Sequence, residues 1–338
     1  MTRVTIVYND DASLAHGDAH DSVAVQGVVA CAAAVAEALR ARAFAVELRA
    51  LGPEPRGTLP LVESIASDLV FNLVEAIGGD ARLEPAFAWA CELAGLRITG
   101  SPPRAMTLCL EKPLTQALLA ARGVPVPHNR VLANGDEPLD GLPLPAIVKP
   151  SREDASHGIA SESVVHDERA LRARARHVIE RYAQPALVEQ FVGGREINVG
   201  LLETPRGLEV LPLSEIDYTG FPPDMPRIVS YAGKWIDTSR DWALTQVIAA
   251  RDLSPAQRAR IEGVARAAFE ILGLAGYGRV DMRLDTDCNP FVIDVNANPD
   301  LSPDAGFALA AARAGYAYTD VVEWIARSGL RRVERAAR

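Results

Sequence analysis

The stretch that most constrains this chain is Gly278 to Pro299, GRVDMRLDTDCNPFVIDVNANP. Val280, Met282 and Leu284 alternate with Arg279, Asp281, Arg283 and Asp285, the period of a strand with one apolar face. Phe291, Ile293 and Val295 alternate in the same way with Val292, Asp294 and Asn296. The residues between the two runs, Thr286 to Asn289, are turn formers, so the stretch predicts a β-hairpin. With a four-residue loop, Asp285 pairs with Pro290, Asp281 faces Asp294, and Arg279 faces Asn296. Directly opposed residues have Cβ atoms roughly 4.5–5.5 Å apart, where like charges destabilise. Two opposed carboxylates beside an amide oxygen make sense around a hard divalent cation whose shell is completed by phosphate oxygens and water. From the pattern alone, a hairpin with a solvated polar face competes with this reading, because a slip of one residue would separate the carboxylates.

The rest of the chain reads as three units. Val4 to Tyr8 predicts a strand, and from about Val25 the positions Val28, Ala32, Val35 and Leu39 keep helical spacing. Asp68 to Leu73 predicts another strand and Glu84 to Leu93 another helix, an alternation that argues for an α/β unit with a largely parallel sheet. It closes near Gly100-Ser101-Pro102-Pro103, which places units at 1–102, 103–193 and 194–338. The second holds a helix from Pro113 to Arg122, a strand from Ala146 to Lys149, a polar loop from Ser151 to Gly158, a helical stripe (Leu171, Ala175, Val178, Tyr182) and a strand from Leu187 to Val192. Gly193-Gly194 marks the next boundary. Strands near 196–202 and 208–214 then precede a Pro- and aromatic-rich segment, Asp217 to Trp242, of the length and irregularity of an active-site lid. Ser254-Pro255 is an N-cap and first-turn pair, opening a helix with Ile261, Val264, Ala268 and Leu272 on one face.

Charge and cysteine usage narrow the function classes. At a net charge of −9 the field of the chain repels nucleic acid and anionic membranes. The arginines from Arg327 to Arg338 read as a solvated terminal helix or tail. The first apolar run is too short for a signal peptide and no stretch reaches the length of a membrane span, so the expected location is the cytoplasm. Cys31, Cys91, Cys109 and Cys288 are spread without C-x-x-C pairing, as reduced thiols. His16 and His20, four apart among aspartates, read as loop residues before metal ligands.

Read outward from the hairpin, the chain resembles the ATP-grasp ligases, and in particular their D-alanine–D-alanine ligase branch. The resemblance runs from Phe71 to about Ile325. Its landmarks occur in order: the Gly100-Ser101 turn, Leu110-Glu111-Lys112, Ile147 to Arg152 (IVKPSR), Leu187 to Phe191 (LVEQF), Gly194-Arg195-Glu196, and the D…D-x-N hairpin. The resemblance implies an ATP-grasp fold, α/β with α+β character in its C-terminal part, behind an N-terminal Rossmann-like domain. It implies an ATP-dependent ligase that phosphorylates a carboxylate and joins it to an amine, using small-molecule substrates, ATP and two Mg²⁺ ions, for which Mn²⁺ could substitute. A homodimer is compatible with it. By the same resemblance, Lys112 and Lys149 would hold phosphates, with Ser156 and Gly158 on the loop covering them. Glu189 and the Phe191–Val192 backbone would meet adenine, and Glu196 the ribose. Asp281, Asp294 and Asn296 would ligate metal, Arg279 would face the developing oxyanion, and Lys234 would contact phosphate from the lid.

The chain departs from that pattern around the substrates. Asp294 stands where the family usually has glutamate, and the glycine-rich first loop is replaced by Asn9 to Asp21. The family's His-Gly segment reads Asn72 to Glu75, and Pro299 to Asp304 replaces a glycine before a serine loop. Asp18, Asp21 and Glu75 follow strands at the sheet edge where α/β folds place ligands, and are candidates for an ammonium group, with Ser302 for a carboxylate. Helix capping competes for Asp18 and Asp21. Another ATP-grasp chemistry or a nucleotide-binding module without turnover are the alternatives to amide formation. The second requires loss of the metal residues, which are all present.

Overall fold

A parallel sheet begins the chain in the computed structural model, which describes residues 1–10, 15 and 27–336. β1 (Arg3–Asn9), β2 (Ala45–Leu51) and β3 (Leu69–Leu73) pair in the order β2-β1-β3. Between the first two strands runs α1 (Gly27–Ala41), which buries Val28, Ala32, Val35 and Leu39, the positions whose spacing predicts it. All five residues of β3 are buried, as in a strand covered on both faces. β2 carries no clear sequence signal because it is an edge strand with Glu47, Leu48 and Ala50 exposed. Two further helices, α2 (Thr58–Glu63) and α3 (Glu84–Leu93), complete this part.

Next come α4 (Pro103–Leu110) and α5 (Lys112–Ala121), each with a proline in its first turn, where the missing N–H costs nothing. An antiparallel sheet follows, in the order β4-β7-β5-β6: β4 (Asn129–Leu132), β5 (Ala146–Pro150), β6 (Val164–Val165) and β7 (Ala186–Gln190). Against it packs α6 (Glu168–Tyr182), which is capped by Asp167 and buries the stripe Leu171, Ala175, Val178 and Tyr182.

The last sheet is antiparallel, in the order β11-β10-β8-β12-β13, with β9 also paired to β8. Its strands are β8 (Glu196–Thr204), β9 (Gly207–Val210), β10 (Ser214–Asp217), β11 (Gln246–Ala249), β12 (Tyr277–Leu284) and β13 (Pro290–Asn296). The single strand expected at 208–214 is two, because Leu211 and Leu213 turn into the core between β9 and β10. Within Asp217 to Trp242 the chain forms α7 (Tyr231–Trp235) and begins α8 (Arg240–Leu244), where the sequence predicts irregular backbone. Ser230 accepts from the Gly233 N–H and Ser239 from that of Trp242, so local caps hold turns too short to show a periodicity. Ser254 and Gln257 form a reciprocal capping box at the start of α9 (Pro255–Leu272). Two helices end the chain, α10 (Gly306–Arg313) and α11 (Tyr318–Ala336).

The hairpin register agrees with the sequence-based one only at the carboxylate end. Arg279 faces Asn296 and Asp281 faces Asp294, but past them a bulge shifts the pairing so that Leu284 faces Pro290. The loop therefore holds five residues, from Asp285 on. The Asp285 carboxylate explains this, accepting from the backbone N–H of both Asp287 and Asn289 and from the Asn289 amide.

Apolar packing ties the first and last sheets together. One core joins Val4, Ile6, Val35 and Phe71 to Leu202, Tyr277 and Phe307, and to Val321, Val322 and Ile325 of α11. The central sheet keeps a core of its own around Leu132, Val148, Leu171 and Val188. No helix among the described residues is long and apolar enough to cross a membrane.

Candidate active site

A cavity of about 130 Å³ opens between the central and last sheets. Lys149 lies one residue before the end of β5, and its ammonium lies 2.9 Å from the Glu189 carboxylate on β7 while donating to the Ile293 carbonyl of β13 at 3.2 Å. Glu189 also accepts from the Gln116 amide of α5. Phe191 and Val192 line the same cavity just past β7. Glu196, the first residue of β8, accepts from the Tyr218 hydroxyl at 2.6 Å and from Arg283 at 2.8 Å. Arg283 is a buried strut, also donating to the carbonyls of Val192, Gly194 and Arg227, with its guanidinium over the Phe191 and Tyr218 rings.

The polar face of the hairpin forms the floor. Arg279 grips Asp281 with two 2.8 Å hydrogen bonds, and Asn296 and Asn198 donate to the same carboxylate at 3.1 and 2.8 Å. Lys112 is buried between Asp294 at 2.7 Å and Asp154 at 2.9 Å. Burial alone would lower the Lys112 pKa, but the two carboxylates outweigh it and hold the ammonium protonated. Burial works the other way on Asp294, and Lys112 and Lys149 outweigh it, keeping that carboxyl below its ordinary range. For Lys234 no carboxylate at salt-bridge distance occurs among the described residues; burial, then the neighbouring Arg279, push its pKa down. Asp281, Asp294 and Asn296 thus present two carboxylates and an amide on one face, a hard-oxygen set that fits Mg²⁺. Among the described residues no group of three or more His, Cys, Asp or Glu is clustered as a metal site.

Over this floor lie a loop and a lid. Ala155 and Ser156 both have positive φ, a strained pair of the kind found where backbone closes on a ligand, and Gly158 has positive φ without strain. Ser156 lines the cavity; Gly158 does not, but a Cβ there would meet the Pro150 ring at 2.6 Å, so only glycine lets the loop return to the end of β5. The Trp235 indole donates to the Ala155 carbonyl at 2.8 Å and the Tyr231 N–H to that of Ile159 at 2.9 Å, latching lid to loop.

A second cavity, of about 100 Å³, adjoins the first. Arg279, Lys234, Asn296, Asp154 and His157 line both, and Glu75, Glu84 and Asp300 line only the second. Ser302 lines neither, because its hydroxyl donates to Asp300 at 2.7 Å. Asp18, Asp21, His16 and His20 lie outside the described residues. The sequence alone does not mark Gln116, Asp154, Asn198 or Glu84, whose importance comes from long-range contacts. Arg283 could have been found, since it continues the Arg279–Asp281 alternation.

With this geometry in view, the chain can be set beside known proteins. The sequence model described as "D-ala D-ala ligase C-terminus" matches residues 119–327. The chain belongs to the D-alanine–D-alanine ligase family. A D-alanine–D-alanine ligase of Gluconobacter oxydans is 30% identical over 301 residues, 88% of this chain and 93% of that protein. An uncharacterised protein of Sinorhizobium fredii, y4sG, is 33% identical over 259 residues, 77% of this chain and 74% of its own length. The crystal structure of the D-alanine–D-alanine ligase from Bacillus anthracis complexed with ATP superposes with a TM-score of 0.78 at 18% identity, covering 99% of this chain and 100% of that one. This likeness bears on the fold, which is the ATP-grasp arrangement of that family. As a member of the D-alanine–D-alanine ligase family, the chain is an ATP-dependent enzyme that forms an amide bond.

Proposed function

We propose that this ligase activates one small-molecule carboxylate as an acyl phosphate and transfers the acyl group to an amine, with both substrates meeting at Arg279. The observation that carries the reading is the convergence of Lys112, Lys149 and the Asp281–Asp294–Asn296 face on one cavity, with Arg279 and Lys234 at its junction with a second. The first cavity takes ATP: Glu189 and the Phe191–Val192 backbone meet adenine, Glu196 the ribose, and Lys112 and Lys149 the phosphates under the Ser156 and Gly158 loop. Asp281, Asp294 and Asn296 would hold Mg²⁺, which supplies charge neutralisation of the transferring phosphoryl group. To release these groups for ligands, Lys112 exchanges Asp294 for phosphate and Arg279 loosens from Asp281. The freed guanidinium then faces the oxyanion that develops when the amine adds to the acyl carbon. Lys234, pushed toward its neutral form by burial and Arg279, is stabilised in its charged form when phosphate arrives.

The relatives are named for joining two D-alanines, and we assign this chain the same bond-forming chemistry on amino-acid-like substrates. The three ranges 1–102, 103–193 and 194–338 serve respectively as substrate wall, nucleotide cover and metal floor. ADP release from Mg²⁺ and ATP, followed across a panel of amino acids and amines, tests the function. Asp281→Asn should abolish it, lowering kcat by at least 100-fold while the thermal midpoint stays within a few degrees. Near-normal turnover in that variant removes the metal floor from the mechanism.

A further inference from the structure

The far end of the first cavity bears on which nucleobase this ligase accepts, an inference that rests on the ATP site proposed above. Glu189 stands on the cavity wall, 1% exposed, and each of its two carboxylate oxygens has a donor. Oε2 lies 2.9 Å from the Lys149 ammonium, and Oε1 accepts from the Gln116 side-chain amide. Gln116 is 2% exposed, and its own amide oxygen is buried with no hydrogen-bond partner among the described residues. An unpaired buried oxygen is costly, so an apolar side chain of the same size would fill the place more stably. What the amide supplies is its N–H bond to Glu189. It reaches there from α5, where Lys112 and Gln116 are four residues apart and both buried. One face of that helix therefore joins the Lys112 end of the cavity to the Glu189 end.

A bound nucleotide acts differently on the two donors. Lys149 is a flexible cation lining the cavity, and phosphate competes with Glu189 for it. Gln116 is neutral and outside the cavity lining, so phosphate does not draw it away. We propose that Gln116 is a positioning residue for nucleobase selection, keeping Glu189 in place when Lys149 turns to the phosphates. Oε2, vacated by Lys149, then accepts a hydrogen bond from an amino group on the base edge while Oε1 stays fixed. A base with a carbonyl at that edge sets an acceptor against a buried carboxylate oxygen and leaves both unpaired. Without the Gln116 bond the carboxylate turns freely or follows the Lys149 ammonium, and the distinction between amino and carbonyl fades.

Calorimetric titration of the full chain with Mg²⁺ and either ADP or inosine diphosphate tests this, because the second nucleotide carries a carbonyl in place of the adenine amino group. The wild type should bind ADP at least a hundredfold more tightly than inosine diphosphate. Gln116→Met, which keeps the length and removes the donor, should cut that ratio at least tenfold, chiefly by weakening ADP. Gln116→Lys restores a donor of similar reach and should recover most of the ratio. A role in packing alone would weaken both nucleotides alike, so an unchanged ratio in Gln116→Met overturns the proposal. A loss that Gln116→Lys does not recover overturns it too, as does a wild type that binds the two nucleotides equally. Failure of the wild type to bind either nucleotide refutes the ATP site itself. A preference for ADP that does not depend on Gln116 leaves that site standing and this inference refuted.

Discussion

Glu75 shows how one side chain is set by neighbours distant in sequence. Burial first, then Asp300, raise its carboxyl from 4.5 to about 7, against smaller opposing effects of Lys234 and His157, with Asp154 adding to the rise. The folded chain therefore keeps a proton on Glu75 that the unfolded chain loses near pH 4.5, so between these values the folded state binds more protons. Stability must then fall as pH rises through that window and level off above it. Glu75→Gln removes this dependence. Denaturant titrations at a series of pH values should show the variant gaining on the wild type from about pH 4.5 to 7, by at most about 3 kcal/mol. A constant difference across that range would mean that Glu75 stays ionised. The sequence places Glu75 at a ligand-bearing sheet edge, and that much is legible because strand ends follow from local pattern. Its partner Asp300 lies 225 positions later by number (300 minus 75), and no local pattern reports that contact.

At the scale of elements, the hairpin and the lid differ in how openly the sequence declares them. β12 and β13 alternate, so both strands can be read from residues alone; the facing of Asp281 with Asp294 agrees with a four-residue loop, but the pattern leaves a slip of one residue open. The bulge cannot be read, because it depends on the Asp285 carboxylate capturing backbone N–H groups inside the loop. The lid offers only composition: its two short helices rest on serine caps, and its hold on the site is made by single hydrogen bonds to loop carbonyls. Those bonds have a chemical consequence. An acyl phosphate is lost to water unless the site is closed, so loosening the lid should uncouple ATP use from amide formation. Trp235→Phe keeps the ring but removes the donor to the Ala155 carbonyl. The ratio of ADP to amide, measured by chromatography, should rise severalfold above that of the wild type, with little change in thermal midpoint. An unchanged ratio would show that the indole N–H does not hold the site closed.

At the scale of the molecule, the decisive feature is which sheets share a core. α11 packs against α1 and β3, although it follows the last sheet in sequence, and Arg42 anchors it through Asp320 and Glu323. The first and last sheets are thereby parts of one apolar interior, with Phe71 and Tyr277 in the same cluster. The order of motifs announces the fold class, but this union of the two ends is a long-range packing outcome with no local signature. The central sheet instead closes its own core, with Lys149 donating to the Ile293 carbonyl of the hairpin and Arg283 of the hairpin to the Val192 carbonyl. Cooperative unfolding follows shared burial, so the first and last sheets should open together and the central sheet should open separately at lower cost. Hydrogen exchange under increasing urea can resolve this by peptide. Peptides from β1, β3, β8 and α11 should lose protection at one urea concentration, and those from β5 and β7 at a lower one. Because bound nucleotide would bridge Lys149 on the central sheet to the hairpin floor, an ATP analogue with Mg²⁺ should raise the second concentration toward the first. Loss of protection in β1 and β8 at clearly different urea concentrations would contradict a shared core. A central sheet indifferent to nucleotide would remove Lys149 and Glu189 from the ATP site.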